Sequence, residues 1–184
     1  MTLTGSNYDK LRHGDTAPDF ELKGTDKKMY KLNDIKGEKA TLIVFICNHC
    51  PYVKPKLKEL NRIADDYLAK GLTVIGINSN ESINYPEDSF IKMQEMVKYG
   101  KIKFLYLHDE TQETAKAYGA VCTPDPFLFD ANLKLIFHSR IDNTHGAIPA
   151  FKHELYEAIG EFLQTGKITK EEKPSMGCSI KWRS

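Results

Sequence analysis

The sequence lacks any apolar run of the length, about 18 residues, that a membrane-spanning helix needs. Its longest candidate, residues 42–47, has only the length of a strand, and residues 1–15 lack the apolar segment of a secretion signal. Neither sign of charge dominates, since 26 Lys and Arg stand against 25 Asp and Glu, so no global field favours nucleic acid or an anionic membrane. These absences predict a cytoplasmic protein that binds neither membranes nor nucleic acids.

Cysteine is scarce as well, because four cysteines in 184 residues are too few for a disulfide-stabilised scaffold. Two of them, Cys47 and Cys50, have Cys-x-x-Cys spacing, which in a reducing compartment is typical of redox chemistry or metal binding. The other two, Cys122 and Cys178, are not so spaced, so a second ligand pair for zinc is missing. We therefore expect redox chemistry at the close pair and no bound metal.

Glycine-rich loops after predicted strands are absent too, and nothing indicates a flavin or nicotinamide site. We expect no cofactor. The electron donor would then be another thiol protein or a small thiol.

Apolar patterning predicts a single α/β domain. Residues 42–46 and 72–77 are continuous apolar runs, as expected of strands buried on both faces. Between them, apolar residues recur at spacings of three and four from Tyr52 to Leu68, which predicts a helix that ends before Gly71. The order βαβ implies parallel strands.

The second half of the chain predicts an antiparallel edge and a last helix. Two helices (89–99 and 111–118) and a short strand (104–107) precede a hairpin with strands 127–130 and 133–138. Thr144 is expected to cap the last helix, which ends at Gly166 and has an apolar face made of Ile148, Phe151, Leu155, Ile159 and Phe162.

The pair Cys47 and Cys50 lies where the first buried strand ends and the long helix begins. Unpaired N–H groups and the positive end of the helix dipole favour a thiolate at this position. We predict that Cys47, taken as the more exposed sulfur, is the nucleophile and that Cys50 resolves the mixed disulfide. His49 between them can donate a hydrogen bond or positive charge to the Cys47 thiolate.

Three stretches of sequence carry a family resemblance. Pro55 stands five residues after Cys50, where thioredoxins have a kinking proline, and Val121-Cys122-Thr123-Pro124 precedes a strand, where thioredoxin-fold proteins have a cis-proline. The N-terminal pattern Gly-Asp-x-Ala-Pro-Asp-Phe at residues 14–20 resembles the opening of the redoxins, meaning the AhpC/TSA peroxiredoxins and the TlpA-like reductases.

This resemblance implies a thioredoxin fold, with a central mixed β-sheet flanked by helices, an N-terminal β extension and a C-terminal tail. Residues 1–13 would form an arm, residues 14–166 the redoxin domain and residues 167–184 the tail. Pro124 would face the cysteine pair and belong to the catalytic site with Cys47, His49 and Cys50. Asn48 and Thr123 would contact a disulfide substrate.

One departure from thioredoxin concerns proton transfer. Thr41 occupies the position, six residues before the first cysteine, where thioredoxin has a buried carboxylate. The proton would then pass through another group, with Glu81, His49 or water as the alternatives.

A thiol peroxidase is the main alternative function, with Cys50 or Cys47 as the peroxidatic residue and a peroxide as substrate. Peroxiredoxins carry Pro-x-x-x-Thr-x-x-Cys followed by proline; with Cys50 aligned, Cys47 and Ile43 replace the Thr and the Pro. They also need an arginine at the thiolate, and here only Arg140 could supply it.

A copper protein of the Sco type is a second alternative. Such proteins combine two cysteines on this fold with a remote histidine, for which His138 or His145 could serve, and soft thiolates select Cu(I). Their spacing is Cys-x-x-x-Cys and they carry a membrane anchor, and neither is found here.

The remaining cysteines are candidates for an auxiliary redox role. Cys122 is near the predicted active site in sequence, while Cys178 lies on the tail, which could fold back over the domain. Either a Cys122–Cys178 disulfide or transfer of oxidising equivalents from the Cys47–Cys50 pair to Cys178 is possible, and an inert Cys122 is the alternative. We expect Trp182 to anchor the tail.

Overall fold

The computed structural model describes residues 3–144 and 150–183. The strands are β1 (Leu3–Gly5), β2 (Glu21–Gly24), β3 (Met29–Lys31), β4 (Ala40–Phe45), β5 (Leu72–Asn78), β6 (Leu105–His108), β7 (Cys122–Thr123), β8 (Asp125–Asp130), β9 (Leu135–His138) and β10 (Met176–Ser179). The α-helices are α1 (Leu32–Ile35), α2 (Leu57–Tyr67), α3 (Phe90–Lys98), α4 (Glu113–Tyr118) and α5 (Glu154–Thr165). No helix in the described ranges is long and apolar enough to cross a membrane.

A mixed sheet forms the centre of the molecule. Within the described residues it has seven strands in the order β3-β2-β6-β5-β4-β8-β9. The three middle strands β4, β5 and β6 are parallel, and β8 and β9 continue the sheet antiparallel on one side. This arrangement confirms the parallel strands and the antiparallel hairpin edge that the sequence predicts.

The apolar run in β4 is buried on both faces because each face meets a different hydrophobic core. Side chains alternate along a strand, so Leu42 and Val44 pack into one core while Ile43 and Phe45 pack into the other. The first core contains apolar residues of α2 and α5, and the second contains residues of α4 and of the N-terminal segment. The two cores fix the end of β4, from which the Cys47–Cys50 loop starts.

The arm and the tail come together in a second, three-stranded sheet. β10 lies between β1 and β7 and pairs antiparallel with both. The residue that anchors the tail is Ile180, which is buried in the second core, whereas Trp182 is 40% exposed. The expectation that Trp182 anchors the tail was therefore wrong.

The helix predicted from Tyr52 to Leu68 is divided into three parts. A 3-10 segment at Lys54–Lys56, which includes Pro55, precedes α2, and a second 3-10 segment at Leu68–Lys70 follows it. Proline lacks the N–H of a regular helical hydrogen bond, so the α-helix begins only after Pro55. Gly71 ends the helical stretch with a φ of 93°, as its sequence position predicts.

The last helix begins later than predicted. α5 starts at Glu154, and the Thr144 amide instead donates to the Asp142 carboxylate in a loop. Asn143 accepts from the amides of Phe151 and Lys152, which holds these two residues outside the helix. Phe151 is consequently exposed rather than part of the apolar face, and Ile148 lies outside the described residues.

Candidate active site

The Cys47–Cys50 loop follows β4 and faces the start of β8. Phe45 is the register partner of Asp125 in the antiparallel β4–β8 pair, so Thr123 and Pro124 lie beside the residues that follow Phe45. The Thr123–Pro124 peptide bond is cis, as the resemblance implies. The sheet register therefore brings the predicted cysteine pair and the predicted cis-proline together.

Thr123 contacts both sulfur atoms of the pair. Its Oγ1 lies 3.2 Å from Cys47 Sγ, and its carbonyl oxygen lies 3.4 Å from Cys50 Sγ. Thr123 is itself buried. It holds the two sulfurs in place, and its contact with a substrate stays a prediction.

Cys50 is the sulfur at which this site stabilises negative charge. Its pKa is lowered to about 5, first because the Cys47 thiol donates a hydrogen bond to it. The Cys178 thiol and the backbone amides of Cys178 and Tyr52 also donate, and together these bonds outweigh the opposing effect of burial. Such donors to the charged form are what generates a stable thiolate.

Cys47 has the opposite environment. Its pKa is raised well above the usual value by its hydrogen bond to Cys50, by burial and by the negative charge of Asp88, and only Thr123 acts in the other direction. Cys47 nevertheless keeps 2% of its surface exposed and Cys50 keeps none. Charge thus favours Cys50, while access slightly favours Cys47.

A buried carboxylate, Asp88, lies beside the pair and was missed from the sequence. Its side chain accepts the amides of Asn48 (2.7 Å) and His49 (3.2 Å), the His49 ring Nδ1 (2.5 Å) and the Asn80 side chain (2.7 Å). The sequence gives no signal for this role, because an Asp shortly before a helix is common as an ordinary capping residue.

His49 is hydrogen-bonded to Asp88 and not to Cys47. Its Nδ1 pairs with Asp88, its ring stacks on Tyr85 at 5.6 Å, and its Nε2 is buried without a partner among the described residues. Its side chain is 15% exposed, and it is the least buried member of the Cys47–Cys50 loop. His49 therefore ties the loop to Asp88, at the part of the loop nearest to solvent.

Asn48 holds the loop in place through both ends of its amide. Tyr106 donates to its Oδ1 at 2.9 Å, and its Nδ2 donates to the Glu87 carbonyl at 2.9 Å. Because Asn48 is also buried, these contacts make it a positioning residue for the loop.

The groups considered for proton transfer have different hydrogen-bond partners in the structure. Glu81 accepts the amides of Ile83 and Asn84 in its own turn, and these bonds lower its pKa. The Thr41 hydroxyl accepts the Gly37 amide at 3.0 Å. Asp88, whose charge acts on Cys47, supplies a buried carboxylate from a different place in the chain.

The structure brings Cys178 to the pair and leaves Cys122 away from it. Cys178 Sγ lies 3.0 Å from Cys50 Sγ. In the β7–β10 register Cys178 opposes Thr123 and Cys122 opposes Ser179, so the two cysteine side chains point to opposite faces of the sheet. Burial and the charge of Asp125 raise the pKa of the Cys122 thiol.

Arg140 and His138, which were named for the alternative functions, have partners other than the two cysteines. Arg140 is bound to Glu154 through Nε (3.1 Å) and Nη2 (2.5 Å). His138 is buried and pairs with Asp125 at 2.8 Å, and His145 lies outside the described residues. A metal could instead meet Cys47 Sγ, an imidazole nitrogen of His49 and a carboxylate oxygen of Asp88, which lie within 4.8 Å of one another.

Fold and site together define a thiol-based oxidoreductase with the thioredoxin fold. The AhpC/TSA family profile matches residues 13–138, which is more than half of the chain, and the chain belongs to this family.

Individual relatives agree with this assignment. The thiol-disulfide oxidoreductase ResA of Bacillus cereus is 28% identical over 71% of this chain and 71% of its own length. The putative peroxiredoxin bcp of Helicobacter pylori is 24% identical over 61% of this chain and 68% of its own length. A crystal structure of an uncharacterised conserved protein from Geobacillus kaustophilus matches 100% of this chain and 97% of that one, with a TM-score of 0.93 and 42% identity.

Proposed function

We propose that this chain is a thiol–disulfide oxidoreductase whose Cys47 and Cys50 alternate between a dithiol and a disulfide. One observation carries the proposal: at the end of β4, two hydrogen-bonded thiols contact cis Thr123–Pro124, and one of the thiols is strongly acidified. The substrate is a disulfide of a protein or a small molecule. Electrons return from another thiol protein or a small thiol, and the predicted cytoplasmic location suits such a donor.

The contact between the two sulfurs explains how the more exposed Cys47 can react although the negative charge rests on Cys50. The Cys50 thiolate and the Cys47 thiol share one proton in their hydrogen bond, so the negative charge belongs to the pair, rests mainly on Cys50 and shifts to Cys47 only as that sulfur attacks the substrate. Cys50 then holds the shared proton during the attack and is the thiol that later resolves the intermediate.

The reaction consists of two exchanges. Cys47 Sγ attacks one substrate sulfur, its proton passes to Cys50, and the other substrate sulfur leaves as a thiolate. Cys50 Sγ then attacks the Cys47 sulfur of the mixed disulfide, and its proton goes to the departing second substrate thiolate. The substrate gains two electrons and the enzyme holds a Cys47–Cys50 disulfide.

Insulin disulfide reduction tests this proposal on the wild type, Cys47→Ser and Cys50→Ser, with Cys122→Ser as the matched control. We expect each of the two active-site variants to lose at least about 100-fold in rate, because either change removes a bond-forming sulfur. Cys50→Ser should accumulate a mixed disulfide on Cys47, and Cys122→Ser should resemble the wild type. Full reduction by Cys47→Ser would contradict the proposal.

A thiol peroxidase is the second candidate, favoured by the acidified Cys50 thiol and by the proline that follows it. The binding of Arg140 to Glu154 counts against it, because that carboxylate already neutralises the guanidinium that a peroxidatic thiolate would need. Turnover of hydrogen peroxide with dithiothreitol decides between the two. Turnover that disappears in Cys50→Ser but largely survives in Cys47→Ser would establish the peroxidase.

A metal-binding role is favoured by one observation only, the approach of Cys47, His49 and Asp88 to one another. If the cysteine variants lose neither disulfide nor peroxide activity, metal binding becomes the leading function. Titration of the reduced protein with Cu(I) would then measure it.

A further inference from the structure

Cys178 lies in direct contact with the resolving cysteine. The 3.0 Å between Cys178 Sγ and Cys50 Sγ is about 1 Å longer than a disulfide bond. Both sulfurs are buried, at 1% and 0% exposure. Cys50 therefore has a thiol partner on either side, Cys47 and Cys178.

The short sheet formed by arm and tail delivers Cys178 to this place. Cys178 is paired with Thr123 in β7 and with Leu3 in β1, so strands on both sides hold it. Gly177 permits the close approach: a Cβ there would stand 1.9 Å from the Thr123 carbonyl oxygen and 3.2 Å from the Pro124 nitrogen. A side chain at this position would force the tail away from the active site.

We propose that Cys178 is a third redox-active cysteine, which resolves the active-site disulfide into a Cys50–Cys178 disulfide under the tail. This inference rests on the proposed Cys47–Cys50 chemistry and extends it. Cys178, as a thiolate, attacks Cys50 Sγ; the Cys50–Cys178 bond forms and the Cys47–Cys50 bond breaks. Cys47 leaves as a thiolate and takes up the proton that Cys178 lost, so the exchange needs no further oxidant or reductant.

The electrostatics of Cys178 change in the right direction when Cys50 is oxidised. The pKa of Cys178 is raised to about 12, first by burial and then by its hydrogen bond to Cys50 and by the charge of Cys50. The charge of Lys181 lowers it. Oxidation of Cys50 to a disulfide removes both contributions of Cys50. Cys178 is thus a weak acid while the pair is reduced and a better nucleophile once the pair is oxidised.

The exchange returns Cys47 to the free thiol form while the protein stays oxidised. The more accessible sulfur is then available to a second thiol or disulfide partner. The oxidising equivalents lie meanwhile between two fully buried sulfurs, where β10 covers them.

Disulfide mapping of Cys47→Ser tests the inference. After oxidation with diamide, the chain should lose two of its three remaining thiols and stay monomeric, and digestion with trypsin should yield the peptide of Cys50 joined to that of Cys178. In Cys47→Ser/Cys178→Ser no intrachain disulfide should form. In the matched control Cys47→Ser/Cys122→Ser it should form unchanged, because Cys122 points to the other face of the sheet.

The oxidised wild type is mapped in parallel and does not depend on the folding of any variant. We expect to find the joined Cys50 and Cys178 peptides beside the single peptide that carries the Cys47–Cys50 disulfide. Only the Cys47–Cys50 disulfide in the wild type and none in Cys47→Ser would overturn the inference, and so would a bond from Cys50 to Cys122. Insulin reduction without a Cys50–Cys178 bond would defeat only this inference, whereas the bond without disulfide reduction would defeat only the proposed function.

Discussion

Two buried clusters in this protein contain the same kinds of groups and lie on opposite faces of the β7–β10 pair. At the active site, Asp88 and His49 accompany the thiols of the Cys47–Cys50 loop. On the other face, which we call the Asp125 cluster, Cys122 lies near Asp125, and Asp125 binds His138 at 2.8 Å. A thiol, a carboxylate and an imidazole are therefore not sufficient for an active site.

The clusters differ in what surrounds the sulfur. Cys50 receives hydrogen bonds from two thiols and two backbone amides, and its pKa falls to about 5. The Cys122 thiol is buried and lies near a carboxylate, and both conditions raise its pKa. A hydrogen bond with Ser6 acts in the opposite direction. Backbone donors and neighbouring thiols, which depend on the fold, decide which cysteine is reactive.

The two histidines also differ in their exposure to solvent. His138 is 1% exposed and its ring stacks on Phe127 at 3.9 Å, as expected of a core residue. His49 keeps 15% of its side chain exposed. The active-site cluster therefore keeps a partly exposed imidazole, whereas the imidazole of the Asp125 cluster is closed off from solvent.

The two clusters should differ most in how much stability the protein loses when the carboxylate of each cluster is removed. Asp88 accepts four hydrogen bonds and Asp125 two, from Ser6 and His138. We expect Asp88→Ala to lower the free energy of unfolding by about 3–5 kcal/mol and Asp125→Ala by about 2–3 kcal/mol, because buried donors lose their partner. Urea unfolding measures both values.

Asp88→Asn and Asp125→Asn are the matched controls, since they keep the shape of the side chain. Both should recover part of the lost stability. If Asp125→Ala proves the more costly change, the hydrogen-bond comparison between the clusters fails.

The next difference is in the charge state of the thiols. One thiolate per chain should appear, measured by absorbance at 240 nm, as the pH rises through about 5, so Cys50 should be ionised at pH 7. The sign follows from a lowered pKa: the thiolate is present above it and lost below it. Cys50→Ser should abolish this step and Cys122→Ser should leave it.

A smaller change should follow from Cys47→Ser. The Cys47 thiol is the largest cause of the low pKa of Cys50, and a serine hydroxyl is a poorer match for its geometry, so the absorbance step should move to higher pH without disappearing. An unchanged midpoint would mean that Cys178 and the backbone amides suffice on their own.

The sequence predicts the fold well because its strongest signals are local. The apolar runs of β4 and β5 and the glycine after the α2 region each depend on neighbouring residues, and the structure confirms them. The family pattern supplies the cis-proline at Pro124. The start of the last helix was wrong because side-chain bonds of Asn143 override the apolar spacing.

Long-range register explains what the sequence leaves open at the site. Whether Cys122 or Cys178 faces the pair depends on how β10 aligns with β7, and a shift by one residue would reverse the answer. Asp88 is likewise placed by the end of β5, through Asn78 and Asn80. No local pattern in the sequence encodes either contact.

The smallest expected effect is that of Cys122→Ala. The Asp125 cluster holds a protonated, buried thiol that acts as a small apolar group, so losing one sulfur atom should cost only about 1 kcal/mol of unfolding free energy. The rate of insulin reduction and the absorbance step near pH 5 should both stay at their wild-type values. A shifted step would contradict this interpretation, because it would show that the Cys122 thiol helps to set the pKa of Cys50.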